Sequence, residues 1–284
     1  MQALRRIPVL TYHSHRVEGT SYATNDHVAL SHDLRTIQAR RFTVVPLRQL
    51  AAWVVAPHAQ ELPAGAIGLS CDDGANADYY DFDHPVYGPQ RSFYNILRDF
   101  QTEVGTAAQP LLHMTSFVIA SPGARRELDA RCLAPLGLRG MTDDWWAAAA
   151  QAGLFGIENH SWDHNHPEVS WVCEAEQRSG DFEQIDSYAE CRSEIQQAAT
   201  FIHARIKPAW PSLLAYPWGQ ASPYLRETYL PAHHTAHRMQ AAFGADGGYV
   251  TASSSRWALP RFVSGSGWTT QAGLGTILDG VTAG

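Results

Sequence analysis

Two adjacent carboxylates follow a short apolar run near residue 70. Residues 66–69 have the length of a buried strand, and Asp72, Asp73 and Gly74 follow them closely. Neighbouring side chains on an extended segment point in different directions, so one acid could bind a metal ion while the other faces a substrate. An Asp-Asp-Gly turn without chemistry is the alternative, because acids in turns often bond to their own backbone.

A second set of candidate ligands follows another apolar run at residues 155–157. His160 and His164 are four residues apart, which would place both on one side of a helical turn. Two imidazoles and a carboxylate form a three-ligand set with positions left for water and substrate, as in catalytic zinc and related divalent sites. The pair alone is a weak signal in a chain with 14 histidines, but its combination with Asp72 and Asp73 at strand ends is more specific.

Strand-like and helix-like segments alternate along the chain. Strands are predicted at 7–12, 42–45, 66–71, 114–120, 155–159, 213–216, 241–243 and 257–259, and helices at 31–40, 47–54, 142–153, 182–206 and from 222. This order predicts a parallel βα repeat, closed or nearly closed into a barrel, within one domain over 1–284. The carboxyl ends of barrel strands share one face, so His13, Asp72 and Asp73, 160–164 and 216–219 should converge there.

Residues 76–110 form a predicted insertion, because they exceed an ordinary connection between two elements. Their first part is dense in Asp, Tyr, Pro and Gly, and 92–100 is helix-like. Tyr79 and Tyr80 either line the rim of a substrate pocket or pack within the insertion itself.

Composition narrows the class of protein and its partners. With 45% hydrophobic and 17% charged residues, the 284-residue chain should fold into a globular domain. A net charge of -7 without a basic block argues against nucleic acid and anionic membrane surfaces. A run of about 18 apolar residues is absent, so no membrane span is expected. The oligomeric state is left open.

The N-terminus and the cysteines suggest a compartment. The first residues lack the apolar region of about 7–15 residues that marks a signal peptide. Cys71, Cys132, Cys173 and Cys191 have no metal-type spacing, which favours reduced thiols and a cytoplasmic location. Secretion with a removed signal is the alternative.

Four motifs in order resemble the polysaccharide deacetylases of carbohydrate esterase family four, which carry the chitooligosaccharide-deacetylase homology domain. Ser70-Cys71-Asp72-Asp73-Gly74 resembles their first motif, and residues 159–164 match Asn-His-Ser-x-x-His fully. Residues 215–219 match Ala-Tyr-Pro-x-Gly, and 8–13 match the Pro-Val-Leu-x-Tyr-His opening of one branch. The resemblance covers about 7–263 and implies a distorted or incomplete (β/α) barrel with about seven parallel strands.

The resemblance also implies a role for individual residues. Asp73, His160 and His164 would hold a divalent metal, most simply Zn²⁺, with Co²⁺ or Ni²⁺ as alternatives. Asp72 would act as the general base toward the attacking water, and the backbone N–H of Tyr216 would stabilise the oxyanion.

The leaving amine also needs a proton donor. A Leu-x-His motif near the C-terminus, which usually supplies it, is absent here. In the branch with the Tyr-His opening the early histidine takes that role, so we expect His13 to be the acid, with His15 as its nearest rival and a buried structural His13 as the alternative.

Two departures from the family pattern surround the predicted base. Cys71 stands where relatives have Phe, and the arginine that pairs with the base in many relatives is missing. Arg261 could replace it, or could be a surface residue after a strand. Trp162 and Trp218 lie inside the motifs and are expected to contact substrate.

Together these features predict a metal-dependent hydrolase that removes an N-acetyl or related acyl group from an amino sugar or saccharide. One alternative keeps the metal site but acts on small non-sugar amides or O-acetyl esters. The other is a non-catalytic carbohydrate-binding protein with the same fold, which would need neither a base nor an acid.

Overall fold

A mostly parallel sheet, curled into an incomplete barrel, forms the centre of the molecule. The computed structural model describes residues 5–170 and 180–282. Its strands are β1 (Ile7–Tyr12), β2 (Thr43–Val44), β3 (Ala66–Cys71), β4 (Phe82–His84), β5 (Gly88–Gln90), β6 (Met114–Val118), β7 (Phe155–Asn159), β8 (Leu213–Ala215), β9 (Ala241–Phe243), β10 (Tyr249–Val250) and β11 (Phe262–Val263).

Helices pack around the sheet, and the helix at Leu47–Val55 shares the apolar cluster that contains Ala66. They are α1 (Asp26–Ala39), α2 (Leu47–Val55), α3 (Phe93–Val104), α4 (Pro122–Leu128), α5 (Trp146–Ala152), α6 (Tyr188–Cys191), α7 (Ala198–Ile206), α8 (Leu230–Ala232), α9 (His234–His237) and α10 (Gln271–Thr282). A π-helical turn and a 3₁₀ turn extend α4 to Leu136, and another π-helical segment joins α6 to α7. No helix in the described ranges combines the length and the hydropathy that a bilayer crossing requires.

Seven strands form the sheet in the order β10-β1-β3-β6-β7-β8-β9, with β2 and β11 paired at its side. All neighbours in this order run parallel except β10, which is antiparallel to β1. The predicted incomplete barrel of about seven parallel strands is therefore confirmed, with β10 as an antiparallel addition at its edge. Only residues 244–248 separate β9 from β10, too few for the helical crossover that a parallel connection needs.

One extended segment, 259–263, joins the two sides of the open barrel. Leu259 forms a parallel bridge with Phe243 of β9. A few residues later, β11 pairs in parallel with Leu10 and Thr11 of β1. The regular strand thus lies at 262–263 rather than at the predicted 257–259.

Strand alternation divides the apolar residues between the barrel interior and the helix-facing core. On β3, Ala66 belongs to the interior cluster, whereas Ile67 and Leu69 pack with the surrounding helices. Because side chains alternate along a strand, Ser70 and the following Asp72 share the interior side with Ala66. The same alternation that buries this core therefore places Asp72 at the carboxyl end of the barrel.

Two predicted helices differ from the observed ones. The first begins at Asp26 rather than Ser31, because the side chain of Asn25 accepts from the N–H groups of His27 and Val28 and caps the helix there. The predicted long helix over 182–206 is interrupted, and a capping box at Ser187 starts a new helix within it.

The 76–110 segment has regular structure of its own. A 3₁₀ turn at Asn76–Asp78 leads into the β4–β5 hairpin, and α3 follows, capped by Ser92. Cys71 and Cys132 form no disulfide. Cys173 lies outside the described residues.

Candidate metal centre

Three predicted ligands converge at the carboxyl ends of β3 and β7. Asp73 Oδ1 lies 3.5 Å from His160 Nε2 and 3.6 Å from His164 Nε2. One ligand atom from each residue lies within 4.8 Å of the other two. Ligands at about 2.1 Å from a tetrahedral ion would be roughly 3.4 Å apart, so this set fits a divalent metal of zinc type.

The donor chemistry also fits a metal. His160 Nδ1 lies 2.9 Å from the carbonyl oxygen of Ala215, so donation there leaves the lone pair of Nε2 for the ion. His164 Nδ1 is buried and has no hydrogen-bond partner among the described residues. Burial lowers the pKa of His164 to about 3, with the neighbouring His160 adding to the effect, so the ring is neutral, as a metal ligand must be.

The loop that carries both histidines is a tight turn, not the helical turn expected from their spacing. Ser161, His164 and Asn165 all have positive φ angles. Side chains of the same motif hold this turn, since Asn159 Oδ1 accepts from Ser161 N and Ser161 Oγ accepts from His164 N, each at 2.9 Å. The residue types of the motif therefore stabilise the loop as well as supply the two candidate ligands.

Left-handed backbone concentrates around this site. Among the described residues, seven other than glycine have positive φ, and five of them are Asp73, Trp218 and the three in the histidine loop. Such conformations cost on the order of 1–3 kcal/mol each and persist where the surroundings impose them. Most of the strained backbone among the described residues therefore lies around the candidate metal site.

Asp72 is paired with a buried arginine. Arg261 is 1% exposed and forms a bidentate ion pair, with Nη1–Oδ1 at 2.7 Å and Nη2–Oδ2 at 2.8 Å. Its Nε donates to Gly244 O at 2.9 Å, and its guanidinium lies 5.3 Å from the ring centre of Phe117. Arg261 is therefore a core residue beside Asp72 and not a surface residue.

This pairing sets the charge of both acids. Burial alone would raise the pKa of Asp72, but Arg261 and His160 outweigh it and hold that pKa below its ordinary value. Burial likewise opposes ionisation of Asp73, yet its imidazole neighbours keep its pKa well below the usual range. Both adjacent acids are therefore carboxylates at neutral pH.

The two candidate acids both reach the cavity. His15 Nδ1 lies 3.4 Å from Asp73 Oδ2, and the His13 and His15 ring centres are 5.3 Å apart. Burial lowers the pKa of His15 despite the nearby Asp73. The structure brings the predicted acid and its rival to the site, and the choice between them stays a prediction.

A cavity of about 420 Å³ opens beside the metal ligands. His13, His15, Asp72, Asp73 and Arg261 line its polar side together with the ligand histidines, His166 and Trp218. The rest of the lining is largely apolar, and residues between 119 and 141 supply most of it. The volume lies within the range of small-molecule sites, about 300–1,000 Å³.

The aromatic residues expected to contact substrate divide into two groups. Trp218 lines the cavity and meets His164 edge-on with ring centres 4.4 Å apart. Trp162 instead packs against Phe201, outside the cavity lining, and its backbone N–H donates to Glu194 Oε2. The structure therefore does not bring Trp162 into the lining of this cavity, and its contact with substrate stays a prediction.

Tyr79 and Tyr80 of the insertion do not line the candidate metal cavity. Tyr79 stacks on Trp145 at 5.5 Å, where ring packing with the core outweighs exposure at a rim. Tyr80 lines a smaller adjoining cavity of about 140 Å³ that shares His15 with the first.

Tyr216 is not positioned as an oxyanion donor. Its N–H donates to Phe243 O at 3.0 Å, continuing the β8–β9 ladder, and its hydroxyl donates to Trp257 O. The sheet therefore already uses the N–H that the motif suggested for catalysis.

Sequence reasoning missed a buried carboxylate beneath the site. Asp78 accepts hydrogen bonds from the hydroxyls of Ser14 and Ser116 and from the thiol of Cys71. Burial raises the pKa of Asp78 to about 7 despite these donors. Cys71, which departs from the family pattern, therefore connects β3 to the segment that carries His13 and His15. Only the departure at Cys71 itself hinted at this contact.

Several solved structures share this fold over nearly the whole chain. The Streptococcus pyogenes deacetylase PplD in complex with acetate has a TM-score of 0.64 at 15% identity, covering 97% of this chain and 99% of its own. A de-N-acetylase from Aggregatibacter actinomycetemcomitans gives 0.62 at 17%, covering 95% and 99%. IcaB from Ammonifex degensii gives 0.60 at 14%, covering 98% and 97%.

Comparisons of sequence found no match, in contrast to the comparisons of structure. No protein-family model and no curated protein sequence matches the chain. At these identities the structural similarity shows that the chain has the deacetylase fold, which confirms the resemblance at that level. The branch with the Tyr-His opening stays a prediction.

Proposed function

Because the chain has the fold of the polysaccharide deacetylases, we propose that it is a metal-dependent deacetylase. It would hydrolyse an N-acetyl or related N-acyl group on an amino sugar or saccharide. The observation that carries the proposal is the combined placement of three ligand atoms and the Asp72–Arg261 pair on one face of the barrel. A binding protein of the same fold would have no use for a second, arginine-paired acid beside the ligands.

The proposed centre holds a divalent ion on Asp73, His160 and His164, most simply Zn²⁺. When bound, such an ion polarises an acyl carbonyl and lowers the pKa of a nearby water. The sequence and the donor set favour zinc, and Co²⁺ or Ni²⁺ would suit the same nitrogen and oxygen ligands.

Asp72 accepts the proton of the attacking water in this mechanism. Its carboxylate faces the cavity and is kept ionised by Arg261, so it is ready to accept a proton at neutral pH. The same pairing makes Asp72 a weaker base, because stabilising the carboxylate lowers its proton affinity.

A histidine on the polar side of the cavity returns a proton to the leaving amine. His13 is our first choice and His15 the second, since both line the cavity on the segment after β1. Tyr216 has no step in this mechanism, because its N–H is bonded within the sheet.

The test joins metal analysis to activity. We expect about one divalent ion per chain and hydrolysis of N-acetylglucosamine oligomers. His160→Ala and Asp73→Ala should lose both, whereas the matched change His234→Ala, at an exposed histidine of the α9 helix, should lose neither. Normal metal content in the two ligand variants would refute the site.

Activity on other acyl compounds separates the alternative chemistry. Hydrolysis of aryl acetates or small cyclic amides, without hydrolysis of acetylated sugars, would assign the same metal site to non-sugar substrates. The apolar half of the cavity is the observation that favours including these compounds.

A further inference from the structure

The apolar wall of the cavity has almost no side chains that form hydrogen bonds. Its side chains are apolar: Ala75, Ile119, Leu128, Leu133, Leu136 and Met141, with the thiol of Cys132. A sugar ring needs hydrogen-bond partners for its hydroxyls, and these are found only on the side of the histidines and carboxylates. A substrate group that fills this half of the cavity must itself be apolar.

This wall is built in advance of any ligand. Arg125 on α4 is 3% exposed and donates to Met141 O at 2.9 Å. Asp129 Oδ1 accepts from Gly140 N at 2.7 Å, which ties the end of the segment back to the helix. Leu128, Leu133 and Met141 also pack together in one buried cluster.

Two large apolar side chains that line the cavity are exposed to solvent. Leu136 is 52% exposed and Trp218 is 43% exposed, although both are large apolar side chains. Both line the cavity, on its apolar and metal sides respectively. Apolar surface of this kind, continuous with a catalytic site, gains free energy when an apolar group covers it.

The wall also lies close to the reacting bond. Ala75 is two residues from the ligand Asp73, and the main cavity includes both. Part of the wall therefore adjoins the candidate ligand Asp73, where the scissile carbonyl would be placed.

We propose that the substrate carries an apolar group, an aliphatic chain or an aromatic ring, within a few bonds of the scissile amide, and that residues 119–141 select it. This inference rests on the proposed deacylase function and names its substrate class. The group can come from the acyl side, as a chain longer than acetyl, or from the amine side, and the two sources need separate arms in the test.

The first arm varies the acyl chain from acetyl to octanoyl on a fixed glucosamine, using the zinc-loaded protein. We expect kcat/KM to rise about fourfold per methylene until the wall is filled. The second arm keeps acetyl and replaces glucosamine by aniline or hexylamine. A rise of kcat/KM in one arm assigns the apolar group to that side of the amide.

Wall variants test whether residues 119–141 cause the preference. Leu136→Asn should lower, by about fivefold, the ratio of kcat/KM for the preferred substrate to kcat/KM for N-acetylglucosamine. Cys132→Phe should shorten the longest apolar group that the enzyme accepts. Val55→Ser on α2, equally exposed at 51%, leaves the cavity untouched and is the matched control.

A binding measurement keeps this inference separate from the proposed function. Calorimetry compares acetate and N-methylacetamide with octanoate and N-hexylacetamide on the zinc-loaded protein. Tighter binding of the apolar members, lost in Leu136→Asn, supports the inference even if no amide is hydrolysed, in which case the proposed function fails alone. Equal binding and flat kinetics in both arms, with acetylglucosamine hydrolysed, would overturn the inference and leave the function intact.

Discussion

Asp72 and Asp73 are adjacent in the chain but have different surroundings. Asp72 continues the inward side of β3 and is clamped by Arg261. Asp73 turns away at a positive φ of 77° and faces the two ligand histidines. The positive φ of Asp73 therefore gives the two adjacent side chains the different surroundings that their proposed roles require.

Asp72→Asn should keep the metal and lose turnover. The amide preserves the shape and cannot accept the proton of water, so we expect kcat to fall by roughly 10²–10⁴. Metal content and kcat, measured on the same preparation, check this. In the companion variant Asp73→Asn, we expect the bound metal to be lost together with turnover. Wild-type turnover in Asp72→Asn would remove Asp72 from the mechanism.

Arg261→Met should strongly destabilise the fold. It leaves a buried carboxylate without its partner, which costs about 3–5 kcal/mol of unfolding free energy. The double variant with Asp72→Asn should recover much of that loss, and urea unfolding measures both. Arg35→Met is the control, because the Arg35–Glu103 pair is about half exposed and should contribute less than about 1 kcal/mol. Equal losses in the two single variants would contradict a buried ion pair.

At the scale of single residues, the sequence identified the ligands but not every partner. The order of the motifs was enough to propose Asp73, His160 and His164 together. Arg261 was only one of two options, because its contact with Asp72 spans 189 residues. Tyr216 was misplaced because a motif does not show which backbone N–H groups the sheet already uses.

At the scale of elements, tight turns rather than helices present the ligands. Gly74 has a φ of 74°, and a Cβ there would lie 3.1 Å from the Cα of Val118 on β6. The turn after Asp73 therefore passes directly against the neighbouring strand. This contact fixes the height of Asp73 relative to the histidine loop.

Gly74→Ala should therefore lower both stability and metal affinity. Gly88→Ala is the matched control, since its φ is 72° but a Cβ there meets nothing within 4 Å. Both variants lose about 1 kcal/mol for the left-handed conformation, and only Gly74→Ala adds the clash. Thermal unfolding and zinc titration compare them. Identical behaviour would show that β6 does not support the turn.

The wall segment explains why the apolar half of the cavity was not foreseen. The helix of residues 122–136 changes from α to π to 3₁₀ geometry. No single helical period describes its apolar side chains, so periodicity could not indicate which of them face the site.

At the scale of the whole molecule, the metal site connects loops from two separate strands. β3 and β7 are not neighbours, because β6 lies between them. An ion bound by Asp73 and the two histidines would therefore hold three strands of the barrel in place.

Metal removal should lower the melting temperature of the wild-type protein. A ligand at a thousand times its Kd stabilises the folded state by about 4 kcal/mol. Calorimetry with zinc and with EDTA measures the shift. Asp73→Ala should melt at the same temperature in both, and an equal shift in that variant would place the stabilising ion elsewhere.

The pH dependence of stability follows from the sign of the Asp72 shift. Its folded pKa lies below the unfolded value of about 3.9, so the contribution is complete above that pH. It is lost as the pH falls through the folded pKa. In metal-free protein, the difference in unfolding free energy between wild type and Asp72→Asn should therefore shrink below about pH 4. A difference independent of pH would reject this linkage.

Much of the architecture was accessible from the sequence, and the reasons for the exceptions are physical. Alternating strands and helices gave the barrel, because buried parallel strands are short apolar runs. The antiparallel β10 was missed because Tyr249–Val250 is too short to show a pattern. The interruptions of the 182–206 helix depend on local capping, which overrides helical spacing.

The Asp72–Arg261 pair can form only after the segment 259–263 has docked on the barrel. Arg261 is synthesised 189 residues after Asp72, and the same short segment that joins β9 to β1 carries it. Until that segment docks, the barrel is open and the base has no cation beside it. A nascent or misfolded molecule could thus assemble the three metal ligands and still lack a correctly charged base, so hydrolysis would begin only when the last part of the barrel is in place.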